Sequence, residues 1–262
     1  MPERTSYEPG TPSWIDLMTT DPDAARGFYT ELFGWDYQDE PTPEGDVYTL
    51  CMKNGKAAAG LGKLSAEHQQ AGMPPAWTTY VTVASADDAH SKVGPAGGEN
   101  VSPVFDVMDA GRMAVVRDPT GAVFCVWEPK NVIGAELVNE HGTLSWNELI
   151  TTDVPKAADF YGKFFGWGTE ETPGGPSGSY IVWKLDGDDV GGCMAPPVAG
   201  MPSFWGVYFA VDDCDAVVDK AKSLGATVFM EPMDLPDVGR MAALGDPQGA
   251  MFSVIELAQP PS

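Results

Sequence analysis

Near the start of the chain, the hydrophobic pattern changes from the period of a strand to that of a helix. Residues 13–20 (SWIDLMTT) alternate in the manner of a β-strand. Asp21 then stands at an N-cap position before Pro22, and Gly34 is placed to end a helix. Between them, apolar residues recur at helical spacing, at Ala25, Phe28, Tyr29, Leu32 and Phe33. The pattern predicts a strand followed by an amphipathic helix.

The rest of the first half of the chain completes this unit and then repeats its order. Strands are predicted near residues 35–38, 47–52 and 57–63. A second unit opens with a strand at 77–83 (WTTYVTV) and a helix at 85–98, which Ser85 would cap. Its remaining strands are predicted near residues 101–105, 112–117 and 122–128. Each unit therefore has the order βαβββ.

The whole pattern occurs twice along the chain. The segment GTPSWIDLMTTD at 10–21 matches GTLSWNELITTD at 142–153. The segment DAGRMAVVRDPTGAVF at 109–124 matches DVGRMAALGDPQGAMF at 237–252, so the offset between the copies is slightly shorter late in the repeat. This duplication predicts two domains, residues 1–134 and 135–262. We expect an α+β fold of four βαβββ modules that form two open-barrel cavities in one chain.

Composition narrows the classes of partner. The chain carries 38 acidic and 15 basic residues, a net charge of −23, which disfavours nucleic acids and anionic membranes. It has neither a long apolar run nor a signal peptide, and its four cysteines form no pair pattern. We therefore expect a cytoplasmic monomer or homodimer whose partner is a small molecule.

The motifs FYTELFGW and FYGKFFGW, together with DPTG and DPQG, resemble those of the glyoxalase/bleomycin-resistance/extradiol-dioxygenase group, the vicinal oxygen chelate superfamily. The tandem arrangement is similar to an actinobacterial glyoxalase-like family often labelled "hydroxylase". The resemblance implies the fold and a site within each cavity. It also implies that a divalent metal performs the chemistry in many members, whereas others bind a drug without metal.

The metal ligands of such members sit at four points in each half, and the resemblance places them on this sequence. The first point falls at Trp14 and Trp146, and the second near Leu50 and Val182. The third falls near Thr78 and Gly206, and the fourth at Cys125 and Ser253. None of these is His or Glu, and Cys125 is the only one whose side chain can bind a metal tightly. The histidines are predicted elsewhere: His68 in a loop, His90 in a helix and His141 in the linker. We expect no metal and no cofactor.

The repeated tryptophan and the acid two residues later are the strongest candidates for a site. An indole at Trp14 or Trp146 can stack on a flat ring. Asp16 and Glu148 share the face of these tryptophans, where desolvation would raise the carboxyl pKa. They are candidate proton acceptors or polar anchors for an aromatic hydroxyl, unless they lie solvated at the barrel rim.

Further candidates follow from strand alternation. Ligand contacts are expected from Thr78, Tyr80, Cys125 and Trp127 in the first half, and from Gly206, Tyr208, Ser253 and Ile255 in the second. Arg112 and Arg240 either anchor an oxyanion or pair with Asp109 or Asp118 and with Asp237 or Asp246. Asp118 and Asp246 are expected to form turns, and Trp77 and Trp205 to pack under a helix.

Three functions remain open at this point. The first is a metal-independent protein that binds a hydrophobic or aromatic small molecule, with a hydroxylase-like or accessory role in secondary-metabolite biosynthesis. The second is a resistance protein that sequesters a toxic natural product without turnover. The third is a metal-dependent lyase, isomerase or dioxygenase.

Overall fold

The computed structural model describes residues 2–43, 45–174 and 178–258. They form two similar halves, each built on one twisted sheet. The first half contains β1 (Pro12–Thr19), α1 (Pro22–Phe33), β2 (Asp36–Pro41), β3 (Val47–Lys53), β4 (Lys56–Lys63), α2 (Ala66–Gln70), β5 (Ala76–Thr82), α3 (Ala86–Ala96), β6 (Glu99–Asn100), β7 (Phe105–Val107), β8 (Gly111–Arg117) and β9 (Val123–Pro129). The second contains β10 (Leu144–Ile150), α4 (Val154–Phe165), β11 (Gly168–Pro173), β12 (Ser179–Leu185), β13 (Asp188–Met194), β14 (Phe204–Ala210), α5 (Cys214–Ser223), β15 (Thr227–Leu235), β16 (Gly239–Gly245) and β17 (Met251–Leu257).

Each sheet joins two consecutive βαβββ modules of the same half. The first has the strand order β2-β3-β4-β1-β5-β9-β8-β6, with β7 also paired to β8, and the second has the order β11-β12-β13-β10-β14-β17-β16-β15. The modules meet through antiparallel pairs, β1 with β5 and β10 with β14. Over the described residues, neither sheet closes into a barrel, so each curves around an open concave face. The predicted fold class is confirmed.

The helices α1 and α3 begin where the sequence predicts, and α4 begins at the matching position of the second half. Asp21, Ser85 and Asp153 cap α1, α3 and α4, each accepting a backbone N–H with its side chain. The cap of α5 is Asp213. Gly34 closes α1 in the left-handed conformation, at φ 70°. No helix of the described residues is long and apolar enough to cross a membrane.

Two local predictions were wrong. The strand expected at 101–105 is replaced by two short strands. β6 ends before Ser102 and Pro103, and β7 begins after them. The amides of Val101 and Ser102 both donate to the Val115 carbonyl, and Pro103 has no amide to continue the ladder. His68, expected in a loop, lies in the short helix α2, which Ser65 caps.

The first helix of each half packs on the outer face of the other half's sheet. In α1, Phe28 and Phe33 contact Phe252 and Phe209 of the second half, with ring centroids 6.3 and 4.9 Å apart. Tyr29 donates its hydroxyl to Asp246 Oδ2 at 3.2 Å and accepts a bond from the Trp77 indole. A buried relay of Trp, Tyr and Asp therefore connects the two halves.

The first helix of the second half, α4, makes the equivalent contacts with the first half. Tyr161 of α4 donates its hydroxyl to Asp118 Oδ2 at 2.9 Å and accepts a bond from the Trp205 indole at 2.8 Å. Asp118 also accepts backbone amides of its own DPTG turn through Oδ1. The prediction that Asp118 and Asp246 form turns, and that Trp77 and Trp205 pack under a helix, is confirmed.

The glycine that opens each repeated segment also takes part in these contacts between the halves, which together we call the interlock. Trp35, which follows α1, donates its indole N–H to the Gly142 carbonyl at 2.8 Å, and Trp167 donates to the Gly10 carbonyl at 2.8 Å. Gly142 has φ 76°, and a Cβ there would lie 2.6 Å from Cβ of Phe33. A side chain would therefore strain the backbone and prevent close approach of the helix.

We predict that Tyr29→Phe and Tyr161→Phe each lower the free energy of unfolding by about 1–3 kcal/mol, because each strands a buried indole N–H and a carboxylate oxygen. Urea denaturation measures the loss. Tyr37→Phe is the matched control, since its hydroxyl donates to the Arg26 carbonyl within one half. If Tyr29→Phe destabilises no more than Tyr37→Phe, the relay does not stabilise the interlock.

Candidate functional site

A tryptophan, an acid and two tyrosines meet on the concave face of the first sheet. Asp16 of β1 lies opposite Gly60 of β4 and Thr78 of β5. Its Oδ2 accepts the Tyr80 hydroxyl at 2.8 Å and the Tyr48 hydroxyl at 3.4 Å. The Trp14 indole donates to the Tyr48 oxygen at 3.0 Å, which fixes both rings beside the carboxylate.

The second half repeats this cluster with a glutamate. Tyr208 of β14 donates its hydroxyl to Glu148 Oε2 at 2.7 Å. The Trp146 indole donates to the Tyr180 oxygen at 2.9 Å. Strand pairing again aligns the group, because Glu148 lies opposite Gly192 of β13. The longer side chain of glutamate is the main chemical difference between the two carboxylates.

A glycine in each half makes room for one tyrosine of the cluster. A Cβ added to Gly60 would overlap the Tyr48 hydroxyl, and one added to Gly192 would overlap the Tyr180 hydroxyl. Neither glycine has a positive φ, so space rather than backbone conformation requires the residue. The hydroxyls thus pass over bare backbone to reach the tryptophan and the acid.

Both carboxylates are buried, which excludes the solvated rim position. Asp16 is 3% exposed and Glu148 4%. Burial raises the pKa of Asp16 to about 6, although the nearby hydroxyls of Tyr80, Thr78 and Tyr48 lower it in part. Burial also raises the pKa of Glu148, against the hydroxyls of Tyr208 and Tyr180. Asp16 Oδ1 has no hydrogen-bond partner among the described residues.

The concave-face residues predicted on the last strands lie beside these clusters. Cys125 is buried next to Tyr80 in the ladder, and burial raises the pKa of its thiol. Trp127 is 7% exposed and donates its indole N–H to the Val132 carbonyl of the linker. Their counterparts in the second half are Ser253, beside Tyr208, and Ile255, which is buried.

The two arginines lie elsewhere. Arg112 forms ion pairs with Asp87, Asp106 and Glu128, and Arg240 with Asp215 and Asp234. Each arginine therefore forms ion pairs, but the predicted pairing was wrong, because none of the partners is Asp109, Asp118, Asp237 or Asp246. Strand alternation is the reason: the buried Met113 and Met241 take the concave side, so each arginine faces the helix side.

Sequence reasoning missed Tyr48 and Tyr180. They lie two residues before Leu50 and Val182, on the same face of β3 and β12, and reach the acids from there. The duplication contained the signal, since the two tyrosines are separated by the same offset in sequence as Trp14 and Trp146.

The concave face of the second half has smaller side chains at two positions. Thr78 and Trp127 of the first half are replaced by Gly206 and Ile255 at the matching ladder positions. Trp14 is buried, whereas Trp146 is only partly buried. Two residues beside the Glu148 cluster are therefore smaller than their counterparts, and more of the Trp146 side chain is exposed than of Trp14.

Both halves of the chain match the same protein-family profile. The profile of the Glyoxalase/Bleomycin resistance protein/Dioxygenase superfamily matches residues 11–126 and 143–254. The chain belongs to this superfamily. Each half carries one complete match, which accords with the duplicated sheet.

Several relatives match across the full length. A Mycobacterium tuberculosis protein named "Putative glyoxylase CFP32" is 48% identical over 259 residues, 98% of this chain and 99% of the relative. The Anthracycline biosynthesis protein DnrV of Streptomyces peucetius is 38% identical over 266 residues, 97% of this chain and 96% of the relative.

Solved structures share the fold at low identity. The 2,3-dioxygenase LapB from Pseudomonas sp. KL28 has a TM-score of 0.65 at 13% identity, covering 96% of this chain and 93% of that one. The Mn(II)-bound glyoxalase from Novosphingobium aromaticivorans has a TM-score of 0.64 at 12% identity, covering 97% and 86%.

The side chains of this chain do not fit the divalent metal that such a fold can hold. Within residues 2–43, 45–174 and 178–258, no three His, Cys, Asp or Glu residues group so as to hold a metal ion. Each concave cluster offers one carboxylate, tyrosine hydroxyls and an indole, and the first half adds the thiol of Cys125. An indole N–H cannot ligate, so neither set supplies three metal ligands.

We predict that the free energy of unfolding of the wild type, minus that of Asp16→Asn, falls as pH rises from about 4 to 6. The Asp16 pKa is about 6 in the folded protein and about 4 when unfolded, so folding favours the protonated acid and loses that stabilisation as the acid ionises. The full change is about 3 kcal/mol.

Urea melts at several pH values measure this difference. Asp39→Asn is the control. Bonds from Arg26 and Thr49 lower the Asp39 pKa, so the free energy of unfolding of the wild type minus that of Asp39→Asn should rise, not fall, as the pH increases. A difference between the wild type and Asp16→Asn that does not change with pH would show that Asp16 has an ordinary pKa.

Proposed function

We propose that the chain binds a flat, hydroxyl-bearing aromatic molecule on the concave face of its second half, without a metal, in the biosynthesis of an aromatic natural product. The supporting observation is the cluster of Trp146, Glu148, Tyr180 and Tyr208, in which the carboxylate is buried and the indole is partly exposed. It sets an indole plane beside a carboxylate whose pKa is raised by burial.

The cluster suits a phenol better than a charged ligand. A partly open indole offers a face on which an aromatic ring can stack. A buried carboxylate with a raised pKa is a stronger base than an exposed one and can take or share a phenolic proton. In the first half, the unpartnered Oδ1 of Asp16 is an acceptor of the same kind. Glu148 would orient the ligand or move its proton.

Two arguments favour the second half over the first. Gly206 and Ile255 leave space where Thr78 and Trp127 stand in the first half. The first concave face is closed further by the linker, whose Val132 carbonyl holds the Trp127 indole. The first half would then serve chiefly as a frame for the second.

The Streptomyces peucetius relative supports the aromatic class. The name of the DnrV relative assigns it to anthracycline biosynthesis, and anthracyclines are built on planar hydroxylated rings. The donor set argues against the metal-dependent lyase, isomerase or dioxygenase. Sequestration without turnover uses the same pocket, and mass analysis of a bound ligand after incubation separates the two.

We predict that Trp146→Ala weakens binding of 1,8-dihydroxyanthraquinone by about 1–3 kcal/mol, roughly 5- to 150-fold, because a stacking and burial platform is lost. Isothermal titration calorimetry and quenching of indole fluorescence measure the affinity. Trp14→Ala is the matched control and should change the affinity little. Equal affinity for the wild type and a Trp146→Ala variant of unchanged melting temperature would refute the assignment.

We predict that protein purified without chelator and then dialysed carries less than one transition-metal ion per half, because one carboxylate with phenols and an indole makes a weak site. Inductively coupled plasma mass spectrometry gives the stoichiometry. Stoichiometric zinc, iron, nickel or manganese that survives dialysis would restore the metal-dependent alternative.

A further inference from the structure

One arginine of the first half fills the space between α1 and the strands β2 and β3. The Arg26 guanidinium bonds Asp39 and Thr49. Its Cζ lies 5.5 Å from the centroid of the Tyr37 ring, close enough for a cation–π contact. The Tyr37 hydroxyl donates back to the Arg26 carbonyl at 2.8 Å. A cation, a carboxylate and an aromatic ring thus complete this corner.

The second half lacks both large side chains at the corresponding corner. At the offset that relates Trp14 to Trp146, Arg26 becomes Ala158 and Tyr37 becomes Thr169. The space is open: a cavity of about 330 Å³ lies between α4 and the strands β11, β12 and β13. Its lining consists of Val154, Pro155, Ala158, Thr169, Glu171, Ser179, Ile181 and Cys193. The volume falls in the range of small-molecule pockets.

In the second half, this corner still has a carboxylate but no longer has the arginine that pairs with it in the first half. Glu171 stands at the position of Asp39 and accepts the Ser179 hydroxyl at 2.6 Å. No lysine or arginine of the described residues forms an ion pair with Glu171, whereas its neighbour Glu170 is paired with Lys184. An acid therefore lines an otherwise largely apolar cavity without a counter-charge.

We propose that this cavity binds a small organic cation, a guanidinium or ammonium group on a short hydrocarbon or single-ring body. The charged group takes the place of the Arg26 guanidinium against Glu171, and the body fills the volume of the missing arginine stem and tyrosine ring. The apolar floor of Val154, Ile181 and Cys193 suits that body. The chain's net charge of −23 raises the local concentration of cations.

This site is separate from the aromatic site. The Glu148 cluster lies on the concave face, whereas the cavity lies at the edge of the same sheet, under the first turn of α4. The inference does not rest on the proposed function, and either can fail alone.

Benzylguanidinium is the probe, and benzylurea, its uncharged analogue of similar shape, is the ligand control. Saturation-transfer NMR and the shift of the melting temperature measure binding to the folded protein. We expect benzylguanidinium to bind and benzylurea to bind at least about tenfold more weakly, because only the cation pairs with Glu171.

Three variants assign the site. Glu171→Gln, an exposed change that leaves the fold undisturbed, should weaken benzylguanidinium about tenfold, and Ala158→Arg should abolish binding by supplying the missing cation. Trp146→Ala should leave it unchanged. Equal binding of probe and benzylurea, no binding of the probe, or full binding by either of the first two variants would overturn the proposal.

Discussion

The rest of the structure depends on one constraint: each half packs its first helix, α1 or α4, on the sheet of the other half. Each DPxG turn uses one oxygen of its aspartate for its own amides and the other for a tyrosine of the opposite helix. The tyrosine in turn holds an indole of the sheet beneath it. Because Tyr29 and Tyr161 are fully buried across the boundary, neither sheet can cover its outer face alone. We therefore expect the duplicated chain to unfold as one cooperative unit rather than as two independent domains.

This arrangement fixes the outer faces and leaves the inner faces to differ. The first helices hold β5 and β14 from behind through Trp77 and Trp205, and these two strands pair with β1 and β10, which carry the carboxylates. In the first half, Trp127 and the linker occupy the inner face. In the second half, Ile255 packs with Tyr208 and Met241 in a smaller cluster, and Trp146 stays partly open.

Periodicity and duplication predicted the modules, the helix caps and the inward tryptophan–acid pair, because these depend on residues near one another in sequence. The exchange of helices could not be predicted, since two equivalent helices fit two equivalent sheets equally well. The same limit applies to Arg112, whose partner Asp87 is set by how α3 docks on β8. Tyr48 was missed because its role depends on the absent side chain of Gly60, a contact between neighbouring strands rather than a pattern along one.

Comparison of the two halves separates residues that maintain the fold from those free to acquire a function. The Trp–Tyr–Asp relay, the glycines under the tyrosines and the tryptophan-to-carbonyl bonds occur in both copies, as a shared frame requires. Four differences remove volume from the second copy: Thr78 to Gly206, Trp127 to Ile255, Arg26 to Ala158 and Tyr37 to Thr169. In an isolated domain, such losses would be partly recovered by collapse of the surroundings. Here the contacts between the halves restrain the backbone, and a cavity remains at the sheet edge beside Glu171, where Arg26 and Tyr37 have no large counterpart. Loss of side-chain volume beside a carboxylate is a feature that a binding site requires, so it supports the proposal that the second copy binds ligands while the first copy contributes chiefly to stability.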